Sequence, residues 1–130
     1  MNEKIYIRLD VDNVGEKIEL NLLNNEFEKA QDIHDCIQLN IRKTLEKIKE
    51  FSSKSLLMVG CDDILFSINK IDFDINFFES LRKNFHTQTG LTISIGIGIT
   101  VQDSLFNLRI AKLSGKNKMI IKFSNLENLK

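Results

Sequence analysis

The run from Leu56 to Ile68 is apolar at both ends and broken in the middle by Gly60, Cys61, Asp62 and Asp63. Two apolar runs of strand length, joined by a glycine and two adjacent acids, read as a β-hairpin with carboxylates at its tip. An earlier strand covers residues 4–11. Ile5, Ile7, Leu9 and Val11 alternate there with Tyr6 and Arg8, and the strand closes on a second acidic pair, Asp10 and Asp12.

Between these segments the spacing predicts helix. A short helix over residues 16–23 is interrupted by Asn24-Asn25. A long one follows to about Phe51, with Phe27, Ala30, Ile33, Ile37, Ile41, Leu45 and Ile48 as its buried stripe and Ser52-Ser53 as its end. The hairpin strands fall near residues 55–59 and 63–69. A third helix spans about 74–88, with Ile75, Phe78, Leu81 and Phe85 inward and Gly90 as its stop. In the strand at 91–100, Thr92, Ser94, Gly96 and Gly98 alternate with four isoleucines. That small-residue face leaves room for a close helix or a ligand. A helix over about 102–113, the turn Ser114-Gly115-Lys116-Asn117 and a strand near 118–123 complete one domain, 1–124, followed by a polar tail, 125–130.

The order is β-α-α-β-β-α-β-α-β. Its core is the split βαβ pattern, so the expected class is α+β: a ferredoxin-like palm with a central, mostly antiparallel sheet and helices packed on one face. In that arrangement the first and second strands run parallel, with the third antiparallel between them. The end of the first strand then lies beside the hairpin tip, and Asp10 and Asp12 are expected next to Asp62 and Asp63.

The 130 residues carry 18 basic and 18 acidic side chains, a net charge of zero, so no basic footprint for duplex nucleic acid is present. No apolar run reaches membrane-spanning length and no signal peptide is visible. With two cysteines, a reduced, cytoplasmic protein is expected. His34 and Cys36 lack a second cluster at zinc-site spacing and read as structural. The nine phenylalanines read as core.

Four converging carboxylates repel unless a cation sits among them. Mg2+ or Mn2+ suits all-oxygen ligands, and a pair of such ions can serve an attacking and a leaving oxygen. Asp10 and Asp62 are the leading ligands, with the Val11 carbonyl a third. Asp63 is open between a ligand and a group that deprotonates the attacking hydroxyl. Asp12-Asn13-Val14-Gly15 runs into a helix N-terminus, which fits either a triphosphate held on backbone N–H groups or a plain helix cap. Lys112 and Lys116 flank Ser114-Gly115, placed either to reach phosphates or to complement a helix dipole. Cys61 reads as a small residue tolerated in the turn.

These residues resemble the nucleotide-cyclase palm superfamily, which includes diguanylate cyclases and the palm of the CRISPR type III polymerase subunit. Gly60-Cys61-Asp62-Asp63 is similar to the Gly-Gly-Asp-Glu signature and Leu9-Asp10-Val11-Asp12 to the first-strand Asp-Ile-Asp. Ile93-Ser94-Ile95-Gly96 and Ala111-Lys112 with Gly115-Lys116-Asn117 resemble the later motifs. Small size and the Asp-Asp ending look most like the minimal CRISPR polymerase group. The resemblance implies a nucleotidyltransferase making cyclic oligonucleotide signals in anti-phage defence, with a product-binding effector protein as a partner. It implies Asp10 and Asp62 as metal ligands, Asp63 as ligand or catalytic acid, and Lys112 and Lys116 as phosphate contacts; Asp12, Asn13, Val14, Gly15, Gly60 and Cys61 are expected beside the substrate. Cys61 replaces the second glycine, Ile18 and Glu19 stand where diguanylate cyclases read guanine, and the product-inhibition Arg-x-x-Asp is missing, so ATP is the expected substrate. One acidic cluster per chain, with two nucleotides to join, leads to an expected homodimer. The competing readings are a palm-type purine nucleotide cyclohydrolase and a non-catalytic nucleotide sensor; a sensor has no need of the acids retained here.

Overall fold

A computed structural model describes residues 3–51 and 55–123. Ser52 and Ser53, the expected end of the long helix, and the tail 125–130 lie outside the described residues. The chain runs β1 (Lys4–Val11), α1 (Val14–Leu23), α2 (Phe27–Phe51), β2 (Ser55–Val59), β3 (Asp63–Asn69), α3 (Ile75–Thr89), β4 (Ile93–Gly98), α4 (Val101–Leu113) and β5 (Met119–Ile121). A single 3-10 turn, Lys70–Asp72, follows β3. This is the element order expected from the spacing.

The five strands lie in the order β2-β3-β1-β4-β5. β3 is antiparallel to both β1 and β2, β4 is antiparallel to β1, and β5 alone pairs in parallel, with β4. β1 and β2 therefore share a direction with β3 between them, as the split βαβ pattern requires. The class is α+β with a mostly antiparallel sheet.

Alternation along each strand sorts the sheet into two unlike faces. Ile5, Ile7 and Leu9 of β1, Ile64, Phe66 and Ile68 of β3, and Ile93, Ile95 and Ile97 of β4 form one face. Ile37, Ile41 and Ile48 of α2 and Phe78, Leu81 and Phe85 of α3 pack with them in one cluster. Each such side chain contributes about 1.5–3 kcal/mol by leaving water. Phe27 and Ile75, expected on the buried stripes, are instead exposed; each is the first residue of its helix. Phe106 is also exposed, so not every phenylalanine serves the core.

The helices do not all pack on one face. α4 covers the opposite side of the sheet, against β4 and β1. The small residues of β4 are the physical reason. A Cβ on Gly96 would stand 2.2 Å from the Leu108 nitrogen and 2.2 Å from the Ser104 carbonyl oxygen, so the α4 backbone rests on the glycine itself. Asn107 adds a hydrogen bond from Nδ2 to the Ile97 carbonyl at 2.7 Å. The room left by small residues is thus filled, along most of β4, by a helix. Thr100 starts α4, its hydroxyl accepting from the Asp103 N–H at 3.0 Å. Among the described residues no helix is long and apolar enough to cross a membrane.

Gly96→Ala is expected to destabilise the fold by about 1–3 kcal/mol, the range of overpacked cores, because a backbone has to move to admit the methyl group. Urea unfolding of the two proteins measures it; an unchanged midpoint would mean that α4 yields freely.

Candidate metal and nucleotide site

β1 and β3 meet in a register that sets Asp10 opposite Asp63. One residue on, the Val11 N–H donates to the Asp62 carbonyl at 2.9 Å, which fastens the hairpin tip to the end of β1. Asp10, Asp62 and Asp63, all half-buried, each present a carboxylate oxygen within 4.8 Å of the others. Gly60 makes room for this. A Cβ there would stand 2.1 Å from Asp63 Oδ1, so the glycine lets the carboxylate fold over the turn. Gly60 N–H donates to the Asp63 carbonyl at 2.9 Å. From α2, Gln38 Nε2 donates to the Cys61 carbonyl at 2.7 Å, tying the tip to the helix layer.

Three carboxylates gather here, not the expected four. Asp12 is 1% exposed and turned under α4. It accepts from Thr92 Oγ1 at 2.6 Å, Ser94 Oγ at 2.8 Å, Lys112 Nζ at 2.6 Å and the Asn117 N–H at 3.0 Å. Burial is the largest influence on its acidity and pushes it up, but these four donors together outweigh it and lower its pKa below the usual aspartate value. Thr92 and Ser94, the polar members of the small-residue face, thereby serve Asp12. Asp10 shifts the other way. Burial raises its pKa, against Lys112, with the charges of Asp62 and Asp63 adding to the rise.

Lys112 lies between the two groups, 3.1 Å from Asp10 and 2.6 Å from Asp12. It also donates to the Val11 carbonyl at 3.3 Å, so the oxygen expected as a third ligand has a lysine partner here. Lys116 donates to Asn13 Oδ1. Asn13 is left-handed (φ 62°) and its side chain does not cap α1, so the first N–H groups of α1, from Val14 and Gly15, follow a turn rather than a side-chain cap. Gly115, Lys116 and Asn117 all have positive φ, a tight turn that aims the Asn117 N–H at Asp12.

Several of these partners carry no motif. Arg8, which donates to Asp63 Oδ2, was legible only as a polar residue of β1 two before Asp10. Gln38 acts across a distance no spacing reveals, and Asn117, read in a motif-like turn, gave no sign that its N–H serves Asp12. Ile18 and Glu19 lie on α1, which has no buried residue. A cleft of about 170 Å3 is walled by Lys17, Asp32, Ile33, Cys36 and Leu91, next to the Thr92 carbonyl that accepts from the Asp12 N–H. Cys36 is thus a cleft wall. His34 meets Asp35 at 3.3 Å on the surface and joins no group of metal-ligating side chains among the described residues.

The donor set at the hairpin tip is oxygen alone, with no thiolate or imidazole, and it suits Mg2+ or Mn2+ rather than zinc. The opposite acidity shifts set the two strand-end aspartates apart. A lowered folded pKa means that Asp12 lends stability above its unfolded value, about 3.9, and loses it as pH falls through the folded value. A raised folded pKa means that the ionised Asp10 costs stability near neutral pH. Asp12→Asn is therefore expected to lower stability by about 1–3 kcal/mol, since an amide turns a donor toward donors. Asp10→Asn and Asp62→Asn are expected to leave the metal-free protein as stable as wild type or more so. Thermal melting in chelator at pH 7 separates the two classes; equal losses in all three would refute the division.

The fold is shared with solved structures. A chain of the Csm1–Csm4 cassette in complex with cA4 superposes with a TM-score of 0.69 at 18% identity, covering 92% of this chain and 21% of that one. The same cassette in complex with pppApApA gives 0.64 at 19% identity, over 89% of this chain and 20% of that one. The GGDEF domain of DgcB from Caulobacter crescentus, in complex with c-di-GMP, gives 0.59 at 12% identity, over 91% and 77%. The chain thus spans about a fifth of the cassette chain and most of the GGDEF domain. No curated protein matches the sequence. The model of the minimal CRISPR polymerase domain matches residues 6–122, nearly the whole chain, and the protein belongs to that family.

Proposed function

We propose that this protein is a metal-dependent nucleotidyltransferase that joins ATP into a cyclic di- or oligoadenylate, releasing pyrophosphate, as a signal in anti-phage defence. The observation that carries the reading is the triad of Asp10, Asp62 and Asp63 on register-paired strands, with Lys112 beside it and the start of α1 one turn away. In the reaction a ribose hydroxyl oxygen bonds to an α-phosphorus while the bond from that phosphorus to the β-bridging oxygen breaks. The hydroxyl proton leaves to a base, a role that would fall to Asp63 where it does not serve as a ligand. Asp10, Asp62 and Asp63, with the Val11 carbonyl, would hold Mg2+ or Mn2+. When bound, such ions supply charge neutralisation for the attacking and leaving oxygens. The chain's own part is positioning, which is most of what phosphoryl transfer requires. Val14 and Gly15 N–H groups and Lys116 suit the triphosphate, with Asp12 holding Lys112 and the Asn117 turn in place for it. Gly60 and Cys61 are the tip against which substrate lies.

Adenine is favoured because the cassette with the higher TM-scores binds cA4 and pppApApA, and because Ile18 and Glu19 offer no guanine-reading pair. Asp62→Asn and Asp10→Asn are expected to cut product formation about a hundredfold or more while the fold persists. Incubation with each nucleoside triphosphate and Mg2+ or Mn2+, followed by mass spectrometry, tests substrate and product together. GTP turning over faster than ATP would overturn the base assignment. A ring-opened purine without pyrophosphate would make the protein a cyclohydrolase instead.

The active form is a cytoplasmic homodimer, each subunit holding one nucleotide on its own acids and offering its hydroxyl to the other's phosphate. Mixing Asp62→Asn subunits into wild type is then expected to depress cyclic product beyond simple dilution, since a mixed pair forms one bond and cannot close the ring. Loss in strict proportion to the mutant fraction would favour a monomer that binds two nucleotides. A separate effector protein reads the product.

A further inference from the structure

Arg8 lies on the same face of β1 as Asp10, two residues earlier, and its Nη2 meets Asp63 Oδ2 at 2.5 Å. The two side chains are only 22% and 24% exposed. Arg8 Nε is buried and has no hydrogen-bond partner among the described residues. A guanidinium carries five N–H donors in a planar fork. Here the contact to the carboxylate comes from one terminal nitrogen, and the inner nitrogen is left unsatisfied. Asp63 in turn is clamped, with Oδ1 over Gly60 and Oδ2 on Arg8. Lys112 stands in the same relation to Asp10. Asp62 has no such counter-charge among the described residues. Arg8 and Lys112 thus offset part of the cluster's negative charge, and Lys112 is shared with Asp12.

We propose that Arg8 is a positioning residue that competes with a divalent cation for Asp63, and that it releases the carboxylate when triphosphate oxygens offer its guanidinium a better partner. This rests on the metal reading given above. A guanidinium and a divalent ion repel when they share one oxygen, so occupancy by one opposes the other. Phosphate oxygens suit the planar fork through two parallel bonds, which the single contact to Asp63 does not supply. The exchange links the two ligands, and linkage is reciprocal: nucleotide tightens metal, and metal tightens nucleotide. Without nucleotide the site resists filling at Asp63.

The test is Mn2+ titration of chelator-treated protein, followed by the electron paramagnetic resonance signal of free Mn2+, with no nucleotide present. Arg8→Met is expected to tighten Mn2+ about tenfold, the size of one charge-assisted hydrogen bond. In an Asp63→Asn background the same change is expected to shift affinity less than about twofold, because the cycle isolates the pair. Adding a non-hydrolysable ATP analogue is expected to tighten Mn2+ more in wild type than in Arg8→Met, by the same factor of about ten. Should Arg8→Met fail to fold, Arg8→Lys, which cannot span the same fork, takes its place in the cycle. Mn2+ binding that ignores the Arg8 substitution overturns the inference and leaves the metal reading standing. Equal tightening with and without Asp63 also overturns it, since Arg8 would then act through its field alone. No saturable Mn2+ binding in any variant overturns this inference and the metal reading together.

Discussion

The buried carboxylate of Asp12 is the tie on which the rest of the site depends. Its four donors come from β4 and the residue before it, from α4 and from the turn before β5, while its own backbone is the turn that follows β1. A charge taken so far from water is tolerated only when its lone pairs are filled and a cation is near. Here both conditions hold, and meeting them fixes where four segments stand. Lys112 is held at the mouth of the acidic cluster because Asp12 anchors it from below. The Asn117 turn, with its three left-handed residues, is held because its N–H has a carboxylate to donate to.

That tie works only because α4 lies close to the sheet. Gly96 and Gly98 give up side-chain packing on one face of β4, and the α4 backbone takes the space. The opposite face is built in the contrary way, from isoleucine and phenylalanine under two helices. Dispersion and burial hold the first layer and shape complementarity with hydrogen bonds holds the second. The chemistry-bearing residues of β1, Arg8 and Asp10, project to the glycine side, and Asp12, just past the strand's end, is covered there by α4. The face with the weaker apolar drive therefore carries the charges, and the greasy face carries the stability.

Charge balance at the cluster follows from the same geometry. Asp10, Asp62 and Asp63 repel one another, and Arg8 and Lys112 lower that cost without filling the space between them. The strand register keeps the separation fixed, since Asp10 and Asp63 are cross-strand neighbours and cannot drift apart without breaking the ladder.

The sequence alone determined the order of elements, the strand carrying each acid, and the meeting of the first strand's end with the hairpin tip. Those follow from periodicity and from the few ways a split βαβ pattern can close, which are local or topological constraints. It also set out the motifs by which the family could be suspected. Tertiary structure alone decided which carboxylates share a site. Asp10 and Asp12 stand two residues apart at the close of one predicted strand, and the alternation treats them alike. One is left half open while the other is roofed by α4, and only the packing of that helix on Gly96 separates them. The same packing turned a small-residue stripe, legible as room for a helix or a ligand, into a helix seat. Arg8 and Gln38 stayed silent in the sequence, and Asn117 was legible only as part of a turn motif, because their partners are 55, 23 and 105 residues away, and contacts at that range exist only once the sheet has formed.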